Sequence, residues 1–192
     1  MTATTSSMLQ PFRRFGRDRR GVSAVEFAFI APVMIGLYLG CVEISSGVAA
    51  DRKVSLIAGA LANLTAQVTT ISSTDMSNIL DASSAIVAPY SASNLKMTVS
   101  CIKIDSTTGV AQVQWSATRN GTARATGSVY SFTSSNNALA VKGSWLLLGE
   151  VSYAYTPIVG YTITGSLTLS DHMYMSPRTQ APSYPDSAHT CS

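Results

Sequence analysis

Charge is scarce in this sequence. Only 12% of its residues are Asp, Glu, Lys or Arg, about half the usual share for a soluble domain, which points to a membrane-linked or exported chain. Histidine is rarer still. The two, His172 and His189, share no close spacing with enough ligand types to suggest a metal site. His189 near Cys191 could be read as a nucleophile–base pair, but a tail pair beside a cysteine reads better as structural. There is no G-x-S-x-G elbow, no P-loop and no dinucleotide fingerprint. These absences leave no catalytic reading and call for no cofactor. Two asparagine triplets, at Asn63 and Asn120, match glycosylation acceptors and are common by chance.

The net charge of +3 belongs to a short head. Five of the thirteen basic residues (Arg13, Arg14, Arg17, Arg19, Arg20) precede Gly21; after it stand eight basic and nine acidic residues, a net of −1. No nucleic-acid-binding surface is expected from that balance. Arginines beside an apolar run read instead as a signal that keeps the head in the cytoplasm and sends the rest outward.

That run is the longest feature of the chain. Phe27 to Val42 carries no charge, and a helix over 22–50 would be ~43 Å long, enough to cross a bilayer. Phe27, Phe29, Ile30, Val33, Ile35, Leu37 and Leu39 form the anchor, and Pro32 is tolerable in a membrane helix with a kink. Beyond a polar collar at "DRKVS", Val54, Ile57, Leu61, Leu64, Val68 and Ile71 recur by three and four. This spacing predicts one helix continuing to about residue 71, its apolar stripe lying on a sheet. Ala58, Gly59, Ala60 and Ala62 would let another surface come close.

A short helix over about 75–88, stopped by Pro89, comes next. Alternation predicts strands over 95–101, 111–117, 145–155 and 165–175, with turns at 105–109 and 118–123. In the last strand Leu167, Leu169, Met173 and Met175 are expected to face one side, interrupted by Asp171. Trp115, Trp145, Tyr153, Tyr155 and Tyr161 read as core and sheet surface. Residues 123–143 give no clear signal, residues 1–12 read as disordered, 176–192 as an irregular tail, and there is no internal repeat. The expected fold class is α+β: a long N-terminal helix packed on an antiparallel sheet of about four strands. The expected layout is a leader over 1–21, a membrane helix over 22–50, its amphipathic extension over 51–74 and an exported domain over 75–192. Cys101 and Cys191 fall in the exported part. An oxidising compartment favours a bridge worth at most about 4–5 kcal/mol in the loop-entropy picture; the alternative is two free thiols.

Glu26 is the anomaly in the apolar run, because a carboxylate in a membrane is expensive and marks a functional site by default. It stands five residues after Gly21 and is followed by Phe27. In "RRGVSAVEFAFIAPVMIGLYLGCVE" this spacing resembles the class III signal segments of type IV pilin-like proteins. More closely, it resembles the TadE-like family, minor pseudopilins of the tight-adherence (Tad) pilus system. The family's R-x-x-G-x-x-x-x-E-F-A falls on Arg20-Gly21 and Glu26-Phe27-Ala28, with Arg20 directly against Gly21. Its later proline and second acid fall on Pro32 and Glu43. "VSYAYTP" and "MYMSPR" are similar more loosely. The resemblance implies that a prepilin peptidase cuts between Gly21 and Val22, making the chain a substrate and not an enzyme. It also implies other Tad pilins and pseudopilins, an inner-membrane assembly platform and membrane lipid as partners. The implied location is a single pass in a bacterial inner membrane with the C-terminal domain periplasmic; incorporation into the pilus and methylation of the new α-amine stay open.

The physical consequence concerns charge. Before the cut Glu26 has no evident cation within the apolar zone. The cut creates one, the Val22 α-amine, mostly protonated at neutral pH. It can pair with Glu26 of a neighbour, or within one chain a helical turn away; the alternative is that Glu26 reaches the headgroups. Glu43, near the outer edge, reads as simply reaching water. A different reading takes the chain as an anchored or secreted periplasmic binding module, since small residues before Asp51 suit an ordinary signal peptidase. Against it, Glu43 interrupts what should be a clean apolar region.

Overall fold

The structure is a computed structural model that describes residues 20–157, 165–178 and 181–184. It divides into two units, one up to Ile44 and one from Ser45 onward. Helix α1, Arg20–Ala66, contributes to both. The early residues 1–12, Tyr161, His189 and Cys191, all discussed above, lie outside the described residues.

In the second unit α1 buries one face. Ala50, Val54, Ile57, Ala58, Leu61 and Ala62 are almost fully buried, at the three-and-four spacing that keeps side chains on one side of a helix. Three hydrogen bonds fix this part of the helix to the segment after the second helix. Lys53 Nζ donates to the carbonyls of Ile86 at 3.0 Å and Ala88 at 2.6 Å, and Tyr90 Oη donates to the Ser46 carbonyl at 3.0 Å. The helix stops at Ala66, short of the expected residue 71. Its last carbonyl accepts from the Arg178 backbone N–H at 3.2 Å. Ile71 is nonetheless buried, because its N–H donates to the Ser183 carbonyl and places it in the same core from an extended segment.

Helix α2, Ser73–Ala85, starts with a capping box in which Ser72 and Asp75 satisfy each other's backbone N–H groups. Met76, Leu80 and Ser83 face inward.

Five antiparallel strands follow: β1 Leu95–Ile104, β2 Ala111–Arg119, β3 Val129–Tyr130, β4 Trp145–Tyr155 and β5 Leu167–Met175. Their order across the sheet is β3-β2-β1-β4-β5. The fold is α+β, with helix packed on sheet. Four strands stand where the alternation puts them. β3, only two residues long, is additional and gives no sequence signal.

The sheet has two different faces. On one, Leu95, Met97, Val99 and Cys101 of β1 join Trp115 and Ala117 of β2 and Leu147, Val151 and Tyr155 of β4 in the main core with α1 and α2. On the other, Ile102, Ile104, Ala111, Leu146 and Leu148 form a second cluster, covered by Tyr130, Phe132 and Tyr174. A bulge between Cys101 and Ile102 lies at this change of cluster along β1. The expected inward face of β5 is only partly formed. Leu169 and Met175 pack on the core, but Leu167 and Met173 are exposed, because β5 is the last strand of the sheet.

Gly149 sets how closely helix and sheet approach. A Cβ there would lie 2.7 Å from the Ala58 carbonyl oxygen and 3.1 Å from the Ala62 nitrogen. Only a residue without a side chain lets this turn of α1 rest on the middle of β4. The small residues expected to permit close approach include the two that meet it, Ala58 and Ala62.

Candidate assembly site

The first unit consists, in its described part, of α1 up to Ile44. Every residue from Gly21 to Ile30 and from Pro32 to Val42 is exposed. The anchor residues Phe27, Phe29, Ile30, Pro32, Val33, Ile35, Leu37 and Leu39 are all among them; Phe27 and Phe29 are 71% and 76% exposed. Isolated apolar side chains on a surface need no explanation, but an apolar patch of this extent marks a place where water is replaced by something else. Among the described residues α1 is the one helix long and apolar enough to cross a membrane. Pro32 is accommodated inside it.

Gly21, Val22 and Glu26 sit on its first turns, all three exposed. One helical turn separates positions 22 and 26. A Cβ on Gly21 would meet nothing within 4 Å, so the glycine is not required by packing. Cys41 is an exposed free thiol on the same helix.

The spacing of an exposed apolar helix with a single acid near its start agrees with a comparison against protein families. Residues 21–60 match the family model described as TadE-like protein. Over this segment the chain is similar to TadE-like proteins. The family is one of pilin-like structural components associated with the Tad pilus, and one long apolar N-terminal helix fits a single-pass membrane protein. Neither the curated proteins nor the solved structures contain a match to the chain. The TadE-like match covers α1 from Gly21 into its sheet-facing half and includes Ala58, one of the residues against Gly149.

Beyond that segment, Cys101 is fully buried on the core side of β1 and is disulfide-bonded. A short strap, residues 181–184, crosses the core beside it. Trp115, directly opposite Cys101 in the register, donates through Nε1 to the Pro182 carbonyl at 2.8 Å, and its ring meets Tyr184 in a tilted contact at 5.5 Å.

Two ion pairs tie α2 and the segment after β2 to the sheet. Arg119 pairs with Asp81 of α2, which holds the Asp81 carboxyl below its ordinary range. Arg124 binds both carboxylate oxygens of Glu150, at 2.6 and 3.1 Å, and lies over the Tyr130 ring. Burial, then a 2.6 Å hydrogen bond to Tyr174, pushes the Tyr130 phenol upward. Among the described residues no three His, Cys, Asp or Glu side chains are grouped so as to hold a metal ion.

Sequence reading does not single out Lys53, the cation that ties α1 to the end of α2, because a lysine after an apolar run reads as a membrane-edge collar. It also overlooks a polar row on the outer sheet face. Alternation marks Lys96, Thr98, Glu150, Ser152, Ser170 and His172 only as outward-facing; the strand register is what brings them together.

Proposed function

We propose that this chain is a minor pilin-like structural subunit that assists assembly of a Tad (Flp-type) adhesive pilus after prepilin peptidase cuts between Gly21 and Val22. One observation carries the reading: a TadE-like helix whose exposed apolar surface contains a single carboxylate, Glu26, one turn after the cleavage position. Once the leader is gone, the Val22 α-amine and Glu26 are the two charges at the lipid-embedded start of the helix. A charge left alone there is costly, about 3–5 kcal/mol when one partner of a buried pair is removed. Pairing the amine of one subunit with Glu26 of a neighbour therefore favours one axial offset between subunits. Cleavage makes the cation, so assembly follows processing. In this reading the arginine head is cytoplasmic, the sheet domain is periplasmic, and Cys191 is the partner of Cys101. The partners are prepilin peptidase, other Tad pilins and pseudopilins, the inner-membrane assembly platform and membrane lipid.

Glu26→Ala is expected to leave cleavage largely intact while piliation or surface attachment falls. Glu26→Asp should restore part of it, the shorter side chain reaching less far. Normal piliation in Glu26→Ala contradicts the pairing role.

The alternative of a binding module released before Asp51 meets a structural difficulty. Ala50 belongs to the main core and Ser46 accepts the Tyr90 hydrogen bond, so a cut there removes parts of the folded domain.

A further inference from the structure

β5 is the last strand of the sheet, nine residues long, and none of its residues is buried. The register decides which of its backbone groups face outward. The Ile104 N–H donates to the Ser144 carbonyl at 2.9 Å, next in line after the Lys103–Trp145 pair. Opposed residues in an antiparallel ladder alternate between bonded and non-bonded pairs. The unbroken register of β1 on β4 therefore turns Leu148, Glu150 and Ser152 toward β1, and Gly149, Val151 and Tyr153 toward β5. Their partners Met173, Asp171 and Leu169 bond back to β4. Thr168, Ser170, His172 and Tyr174 accordingly point their N–H and C=O groups away from the sheet. Among the described residues, the one outward group with a partner is the His172 N–H, which donates to Asp171 Oδ1 at 2.8 Å.

The face that β5 turns toward α1 is apolar except at Asp171, with Leu167 and Leu169 before it and Met173 and Met175 after it. Beside this row runs an open groove of about 1010 Å³, lined by Leu56, Gly59, Ala60 and Asn63 of α1 and by Met173 and Met175. An exposed edge of this length is a template for a further strand. An added strand would bond the outward backbone groups and direct every second side chain toward the groove. Charge selects which strand fits. Asp171 has no basic partner among the described residues. It stands at a non-bonded position toward an added strand, where opposed side chains come closest. A second copy of β5 laid antiparallel with full overlap sets Asp171 against Asp171, and like charges directly opposite destabilise a strand pair. A wholly apolar strand would take water from the carboxylate and return nothing. A strand with Lys or Arg opposite Asp171, and apolar residues two places to either side, satisfies the charge, the apolar row and the backbone together.

We propose that the outer edge of β5 takes up an extended segment of a partner protein as a sixth strand, with a basic residue of that segment facing Asp171. The inference concerns the sheet domain alone and does not rest on the pairing of Glu26.

The probes are nine-residue peptides with valine at odd and threonine at even positions, identical except for a central Lys, Arg, Ala or Glu, titrated against the full chain in detergent. The Lys and Arg peptides are expected to bind with a dissociation constant around 1 mM or tighter, and at least about fivefold more tightly than the Glu peptide, the size of an attractive cross-strand pair set against a repulsive one. Bound peptide should slow hydrogen exchange at the Ser170 and Tyr174 N–H groups and leave Val129, on the opposite edge strand, unchanged. Asp171→Lys should reverse the order of the peptides. Ser170→Pro removes one outward N–H at a position where an edge strand tolerates proline, and should abolish binding. No binding of the Lys or Arg peptide, indifference to the central charge, or unchanged exchange at Ser170 and Tyr174 each overturns the proposal, and all three are read on the parent chain.

Discussion

Gly149 shows how much depends on one missing side chain. Replacing it with alanine pushes a methyl group against the Ala58 carbonyl and the Ala62 nitrogen, and neither backbone atom can move without lifting the helix from the sheet. Gly149→Ala is expected to cost about 1–3 kcal/mol, the usual range for overpacking, read as a lowered urea midpoint of the detergent-solubilised chain. Sequence reading lists the small helix residues but cannot say which of them meets a partner; in "WLLLGEVSYAY" the glycine looks like an ordinary break in an apolar strand. Trp115 is the opposite case. Alternation places it inward, and it is buried, yet its bond to Pro182 joins residues far apart in the chain and leaves no local trace. Trp115→Phe keeps most of the packing and removes that bond. A loss of about 1 kcal/mol is expected from the hydrogen bond alone, with faster hydrogen exchange at Ser183, whose N–H bonds the Thr69 carbonyl. Unchanged exchange would mean the strap is held by other contacts.

Among elements, β4 is the most legible. Its continuous apolar start and alternating end, stopped by Pro157, match Trp145–Tyr155, because a central strand buried on both faces carries the strongest pattern. Helix α1 overshoots in the sequence reading for a physical reason: Val68 and Ile71 continue the apolar spacing after the backbone has left the helix. The core accepts a side chain from either geometry. β5 misleads in the other direction, since an edge strand keeps alternation without full cover. Helix α2 offers a test in pH. The Ser72 side-chain hydrogen bond, followed by the Ser72 backbone N–H, holds the Asp75 carboxyl below its ordinary value of 3.8. Asp81, bonded to Arg119, and Asp105, bonded to the Thr107 and Thr108 backbone, are lowered as well. A carboxylate with a lowered folded pKa is bound by fewer protons in the folded state than in the unfolded one. Stability is therefore fully present above 3.8 and falls as the pH drops through the folded values. Asp75→Asn is expected to lower the denaturation midpoint at neutral pH and to flatten the fall between about pH 5 and pH 2. A fall as steep as the parent's would show that Asp75 contributes nothing to the acid limb.

At the scale of the whole molecule, two kinds of surface divide the chain. The described part before Ser45 is an exposed apolar helix with one early acid; the part from Ser45 has a closed core and an outer sheet face on which polar rows adjoin a second apolar cluster. The first was legible from composition and spacing alone, because a membrane-length apolar run and a misplaced carboxylate are both local signals. The polar rows were not, because they exist only once β1, β4 and β5 are in register. In the proposed function, a proteolytic cut after Gly21 creates the cation that Glu26 pairs with. The most direct measurement is the intact mass of the chain purified from membranes of piliated cells. A mature chain that begins at Val22, with the arginine-rich head removed, is the expected result. A chain that retains residues 1–21 while pili assemble normally contradicts it.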